Sequence, residues 1–223
     1  MRVLLTGGSG FVAAHVLDVL LKRGHSVAKA DLLKSLHVVV GKDRLDFAFV
    51  EDIAFDEAVK SDPPFEAVIY SASPYHFRAK DIQKELLDPA VILKSIKKSA
   101  PTVTRVVIIT SFAAMHTYLD DDWNPTTHEE ALKNAAAGYR ASKTFAERAA
   151  WDFLEKEKPR FTIPTLPSSR SYVFADVHDL SLLHVLSIEK EEAANKRFFV
   201  CDGPFSNKEL MGRFNDCKRR IMG

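Results

Sequence analysis

The sequence predicts an α/β fold, a doubly wound parallel sheet covered by helices on both faces. Three observations predict it. Short apolar runs alternate with helix-periodic stretches along most of the chain. The apolar runs are nearly continuous, as strands buried on both faces are. The first run, "RVLLT" at 2–6, passes through a glycine turn straight into a helix.

Each element follows from its pattern. "GFVAAHVLDVLLKRG" (10–24) is helix-periodic and stops at Gly24, and "HSVAKA" (25–30) reads as a second strand. "FAFVED" (47–52) reads as a third strand, with a short acid-rich helix at 55–61. "FEAVIYSAS" (65–73) is a buried strand, and 82–100 is helical with Pro89 as a break or kink. "TRVVIITS" (104–111) is β-branched and almost wholly apolar, the clearest strand. The longest helical pattern covers 136–158 and ends at Pro159. After it, 161–174 is proline-punctuated and reads as irregular. A helix over 176–192 is capped by Asp176, "KRFFVC" (196–201) is a strand, and Ser206 with Glu209 forms a capping box.

Composition narrows the function. The chain has 223 residues, 46% hydrophobic and 27% charged, enough for one globular domain with a small appendage. A net charge of +1 gives no global attraction to nucleic acid or to an anionic membrane. No apolar run approaches a membrane span, and the chain opens on a strand rather than a secretory signal. Cys201 and Cys217 read as two reduced thiols, so a cytoplasmic protein is expected. His15, His25 and His37 lack metal-ligand spacing, and His178 and His184 fall on different helix faces, so no metal is expected.

The first chemical motif is "TGGSGFVA" (6–13), which gives Gly7-x-x-Gly10-x-x-Ala13. Glycines there let backbone N–H groups approach a pyrophosphate, and the helix N-terminus faces its charge. Alone, such glycines suit a simple strand-to-helix turn; following the first strand and opening a helix, they predict the Rossmann arrangement with a bound dinucleotide. Asp31, at the end of the second strand, suits ribose hydroxyls and so NAD. Lys29 and Lys34 flank it and suit a 2′-phosphate, so NADP stays open. Asp52 reads as an adenine contact or as a helix N-cap. The division expected is 1–163 for the dinucleotide-binding domain. Residues 164–223 then form a reduced substrate-side region packed on the same domain.

The second motif is Tyr139-x-x-x-Lys143 with Ser111. Ser111 ends a parallel strand, where ligands bind in this fold class. Tyr139 and Lys143 lie one helical turn apart, on one face. A phenol titrates near pH 10, and a nearby ammonium lowers that. Alone, each of these residues reads as ordinary packing or capping. Together, in this order on this fold, they read as a catalytic set.

At these residues the sequence resembles a known family. "TGGSGFVA", "ASPYHF" (72–77), "RVVIITSFAAM" (105–115), "WNPTT" (123–127) and "YRASKTFAERAAWDFLE" (139–155) resemble the extended short-chain dehydrogenase/reductases. The nearest branch is the dihydroflavonol-reductase-like group, with fungal methylglyoxal reductases and carbonyl reductases. By resemblance, Gly7, Gly10, Phe11 and Ala13 match the pyrophosphate turn. Asp52 and Ile53 match the adenine contact. Ala72 and Pro74 match positions lining the cofactor toward the nicotinamide. Ser111, Tyr139 and Lys143 match the catalytic serine, tyrosine and lysine. The resemblance implies NADPH-dependent reduction of a small aldehyde or ketone. Tyr139 would protonate the oxygen, Ser111 would bind it, and Lys143 would hold the nicotinamide ribose.

The departures set the alternatives. Leu32 stands near the place of an arginine that would favour NADP. After Ile163, "PTLPSSRSYVF" runs directly to "ADVHDL", so a segment that shapes the branch's substrate pocket is shortened away. One alternative is therefore a dinucleotide-binding relative of weak or no activity. Another, suggested by Asp31, is a nucleotide-sugar epimerase. The oligomeric state is left open by the sequence.

Overall fold

The computed structural model describes residues 1–8, 10–28, 44–46, 59–71, 89–116, 122–133, 135–168 and 173–204. Its elements, in chain order, are β1 (Arg2–Leu5), α1 (Phe11–Lys22), β2 (Ser26–Ala28), β3 (Leu45–Asp46), β4 (Ala67–Tyr70), α2 (Pro89–Ser99) and β5 (Arg105–Ser111). A one-turn helix α3 (His128–Ala131) and the long α4 (Ala135–Glu157) follow. Then come β6 (Thr165–Ser168), β7 (Val173–Phe174), α5 (Val177–Glu189) and β8 (Gly203–Pro204).

Six strands form one sheet in the order β3-β2-β1-β4-β5-β6. Every pairing in it is parallel. The order turns back between β1 and β4, and such a switch point opens a crevice at the carboxyl ends of the strands. The doubly wound Rossmann sheet expected from the sequence is therefore the fold observed.

Successive side chains of a strand point to opposite faces, and the core divides accordingly. Val3, Leu5, Ile69, Val107 and Leu166 meet Val16, Leu17 and Leu20 of α1 and Leu180, Val185 and Ile188 of α5. Leu4, Val68, Val106 and Ile108 meet Ile92, Leu93 and Ile96 of α2 and Ala150 and Phe153 of α4. Burying each large side chain contributes roughly 1.5–3 kcal/mol relative to exposure. This is why the strands read as unbroken apolar runs.

Several elements differ from expectation. The described part of α2 runs from Pro89, and 82–88 of the expected helix lie outside the described residues. The described residues of the third strand are Leu45–Asp46, and the run 47–52 lies outside the described residues. The segment 161–174, expected to be irregular, contains β6 and β7. Prolines misled there because β6 pairs with β5 on one side, while the donor that Pro167 lacks falls on the other side of the strand. Pro167 also explains why 196–201 falls short of a full strand. That segment bonds β6 through Thr165 N–H to Lys196 O, Phe198 N–H to Thr165 O and Val200 N–H to Pro167 O. The next donor in that ladder would be the N–H that Pro167 lacks.

The C-terminal half is fastened to the sheet. Helix α5 packs on α1 and β5, and Asp176 caps it through the His178 N–H. Glu189 at its end accepts from Arg23 Nε at 2.9 Å and pairs with His25 Nε2 at 2.8 Å. Arg105 donates to the carbonyls of Ser187 and Lys190 at 3.1 Å each. The capping box at Ser206 and Glu209, together with Cys217 and His37, lies outside the described residues.

Candidate active site

The glycine turn lies between β1 and α1, at the switch point. Gly7 has φ of 63°, the left-handed region that favours glycine. The Gly10 N–H donates to Gly7 O at 2.9 Å. A Cβ on Gly10 would lie 3.1 Å from that same carbonyl oxygen, so a side chain there is crowded and the carbonyl would have to give by a few tenths of an ångström. Gly10 is the N-cap of α1, with no side-chain cap and no acid in the first turn. The helix therefore presents its positive end without a carboxylate of its own there. Ala13 is buried in the core with Val3 and Leu5, and its small side chain brings helix and strand close. Phe11 is 60% exposed and lies edge-on to His15 at 5.1 Å. These features suit a dinucleotide pyrophosphate, whose place the N-terminus of α1 would provide.

The crevice wall is latched by two residues the sequence reading passed over. Thr6 Oγ1 accepts from the Ser71 N–H at 3.1 Å, and Ser71 Oγ donates to Thr6 O at 2.5 Å. The bonds tie the ends of β1 and β4 together. A hydroxyl one residue beyond each of two apolar runs is the signal that could have found them.

The structure brings Ser111, Tyr139 and Lys143 together. Ser111 ends β5, and its Oγ accepts from the Ala113 N–H at 3.2 Å, which fixes the serine as cap of the turn Phe112–Ala114. Tyr139 reaches it from the second turn of α4, its hydroxyl donating to Ser111 Oγ at 3.4 Å. The Lys143 ammonium lies 5.4 Å from the centroid of the Tyr139 ring. Burial pushes Lys143 down to about 8. A lysine so held exchanges its proton far more readily near neutral pH than an exposed one. Thus a serine hydroxyl, a phenol and a low-pKa ammonium converge at the carboxyl edge of a parallel strand.

A second group of charges was missed by sequence reasoning. Glu147, one turn beyond Lys143, is fully buried and pairs with Arg197 Nε at 2.8 Å. Thr165 Oγ1 donates to the same carboxylate oxygen at 2.9 Å. Arg197 also donates to Asp122 O at 2.7 Å and stacks over Trp123 at 4.3 Å. Trp123 and Trp151 line an open cleft of about 550 Å³ with residues 195–199. Asp31, Asp52, Ile53, Ala72 and Pro74 lie outside the described residues, as do Tyr75 and Phe77. Among the described residues there is no group of three or more His, Cys, Asp or Glu side chains that could hold a metal. No described helix is long and apolar enough to cross a membrane.

Comparison with known proteins identifies the family. The model of the NAD dependent epimerase/dehydratase family matches residues 3–197. The chain belongs to that family. It is one of the extended short-chain dehydrogenase/reductases, as its motifs suggested. Ketoreductase azaE of Aspergillus niger is 34% identical over 272 residues, covering 94% of this chain and 80% of that protein. NADPH-dependent methylglyoxal reductase GRE2 of Saccharomyces cerevisiae is 27% identical over 281 residues, covering 97% of this chain and 82% of that one. The crystal structure of Gre2 from Candida albicans in complex with NADPH matches with a TM-score of 0.83 at 26% identity, over 97% of this chain and 82% of that one. The aligned spans of 272 and 281 positions exceed the 223 residues of this member of the family. Those relatives therefore carry internal segments with no counterpart here.

Proposed function

We propose that the chain is an NAD(P)H-dependent reductase that converts an aldehyde or ketone carbonyl to an alcohol. The observation that carries the reading is the Tyr139 hydroxyl at 3.4 Å from Ser111 Oγ, with Lys143 on the next turn of α4. When bound, the nicotinamide supplies a hydride to the carbonyl carbon. The chain's own residues do the rest. Ser111 donates a hydrogen bond to the carbonyl oxygen and holds it beside Tyr139. Tyr139 delivers its hydroxyl proton to that oxygen as negative charge develops. Lys143 steadies the phenolate left behind by its positive charge. Gly7, Gly10 and Ala13 let the start of α1 approach the pyrophosphate, with Phe11 beside it.

Cofactor and substrate come from two sources. NADPH is favoured by relatives named as NADPH-dependent and by a neighbouring structure solved in complex with NADPH. Asp31 favours NADH, so the two nucleotides are compared directly. Asp52, Ile53, Ala72 and Pro74 are proposed to line the rest of the cofactor. A small carbonyl compound such as methylglyoxal is the substrate class, as the names of the relatives suggest. The proposal includes the division at residue 163, a cytoplasmic place of work, and no nucleic acid, membrane or metal partner.

The test is consumption of NADPH and of NADH over a panel of small aldehydes and ketones, by wild type and by Tyr139→Phe. Turnover that the variant loses supports the reading. Nucleotide binding without any turnover by wild type would sink it. That result would favour the weakened relative, consistent with the segments that longer family members carry. Heat protection by a nucleotide sugar, with indifference to aldehydes, would favour an epimerase.

A further inference from the structure

Three side chains fall on one stripe of α4. Tyr139, Lys143 and Glu147 are spaced by four residues, so they stack along one face of the helix. The first two belong to the reactive set. The third is buried and held by Arg197 through a fork, Nε to Oε1 at 2.8 Å and Nη2 to Oε2 at 3.3 Å. The same guanidinium donates to the Asp122 carbonyl at 2.7 Å and covers the face of Trp123. Arg148 of α4 lies on Trp123 as well, at 5.0 Å. One residue on from Trp123, the Asn124 N–H donates to Ala114 O at 2.9 Å, in the turn that Ser111 caps.

One guanidinium thus joins both halves of the site. Through Glu147 it holds the helix that carries Tyr139. Through Asp122, Trp123 and Asn124 it holds the turn that follows Ser111. Thr165 of β6 fixes the shared carboxylate from below, and the strand itself pairs with β5.

The Tyr139–Ser111 contact is sensitive to that hold. At 3.4 Å it is at the long end of hydrogen bonding. A turn of α4 about its axis by ~10° moves the outer ends of its side chains by ~1 Å. A misplacement of ~1 Å can lower turnover about 10²-fold.

We infer that Arg197 is a positioning residue, which through Glu147 and the Asp122–Asn124 loop sets Tyr139 against Ser111. The inference rests on the reading of Tyr139 and Ser111 given under Proposed function. A role in stability alone would leave the chemistry of the folded enzyme untouched.

The decisive variant replaces the pair together, Glu147→Met with Arg197→Met. An apolar pair of similar volume avoids leaving a lone buried charge and tends to keep the fold. Expected is a kcat about 10²-fold lower, with KM and NADPH affinity within about twofold of wild type. Crystal structures of both proteins should then show Tyr139 Oη drawn beyond 3.4 Å from Ser111 Oγ in the variant. A folded variant with wild-type kcat and an unchanged distance overturns the inference. So does a loss carried wholly by KM. If the double variant does not fold, Arg197→Lys serves. It keeps a charge for Glu147 and loses the fork and the hold on Asp122. It should recover only part of kcat, and full wild-type kcat overturns the inference. If wild type reduces no carbonyl, the reductase reading fails. The measured distance still decides whether the clamp positions Tyr139.

Discussion

Replacing Lys143 by methionine should stabilise the protein while removing its activity. Burial holds the Lys143 ammonium at about 8, against 10.5 for an exposed lysine. The difference is about 2.5 units, and each unit corresponds to ~1.36 kcal/mol. Carrying this charge into the fold therefore costs about 3 kcal/mol wherever lysine is protonated in both states. The sign follows from proton counting. Between pH 8 and 10.5 the unfolded chain binds the proton that the folded chain has released. Stability of wild type therefore rises with pH across that window, as far as this group decides it. Below pH 8 the full penalty stands. Methionine covers much of the same stem and carries no charge. Lys143→Met should gain up to about 3 kcal/mol at pH 7. The gain should shrink steadily from pH 8 and vanish above pH 10.5. The assay is urea unfolding of both proteins, free of nucleotide, at several values of pH. Comparing the two proteins cancels every other titration. A variant less stable than wild type at pH 7 would refute the reasoning, and so would a gain that ignores pH. The same variant should lose carbonyl turnover, an exchange of stability for function expected at a working site.

Three further outcomes follow from the geometry. Tyr139→Phe should lower kcat by about 10²–10⁴-fold, the usual worth of general acid catalysis, and leave the unfolding midpoint nearly unchanged. Gly10→Ala puts a Cβ 3.1 Å from Gly7 O, so that carbonyl must give by a few tenths of an ångström. Fluorescence titration should then show NADPH affinity weakened by about tenfold, roughly 1.4 kcal/mol. The Arg23 guanidinium, and after it His25, holds Glu189 down at about 2, below the ordinary 4.5. Its contribution is therefore whole above pH 4.5 and lost as pH falls toward 2. Water around Arg23 screens the pair and limits it to about 1 kcal/mol or less. Glu189→Gln should be less stable than wild type at pH 6 and equal to it at pH 2, by thermal unfolding.

Much of this was legible in the sequence, and the reason is local. Val3, Val107 and Leu166 lie in strands buried on both faces, so their runs announced themselves without any knowledge of partners. Gly7 and Gly10 could be read because a left-handed φ and a crowded carbonyl select against side chains. Tyr139 and Lys143 could be read because four residues make one turn. Glu147 carried the same four-residue spacing and was not singled out. Its partner is 50 residues away in sequence, and only the fold brings Arg197 to it. Pro167 misled for a related reason. Whether a proline ends a strand depends on whether its missing N–H faces a neighbour, which is a property of the assembled sheet. Here it faces 196–200, and the cost appears in that segment instead of in β6.

The placement of the buried ion pair bears on how a shortened chain keeps its site. The outer strand β6 would expose a row of backbone donors and acceptors, a hazard for edge-to-edge association. Residues 196–200 cover it, but Pro167 removes one rung of the ladder. Backbone pairing there is thus incomplete, and side chains must complete the attachment. Arg197 does so by reaching across β6 to Glu147, while Asn195 Oδ1 accepts from the Ile163 N–H at 2.9 Å. Removing one partner of such a buried pair typically costs about 3–5 kcal/mol, because it strands the other charge. The cover of the sheet edge and the footing of α4 therefore depend on the same two side chains. Glu147 and Arg197 thus tie α4 to the sheet edge through residues that this shorter chain itself carries.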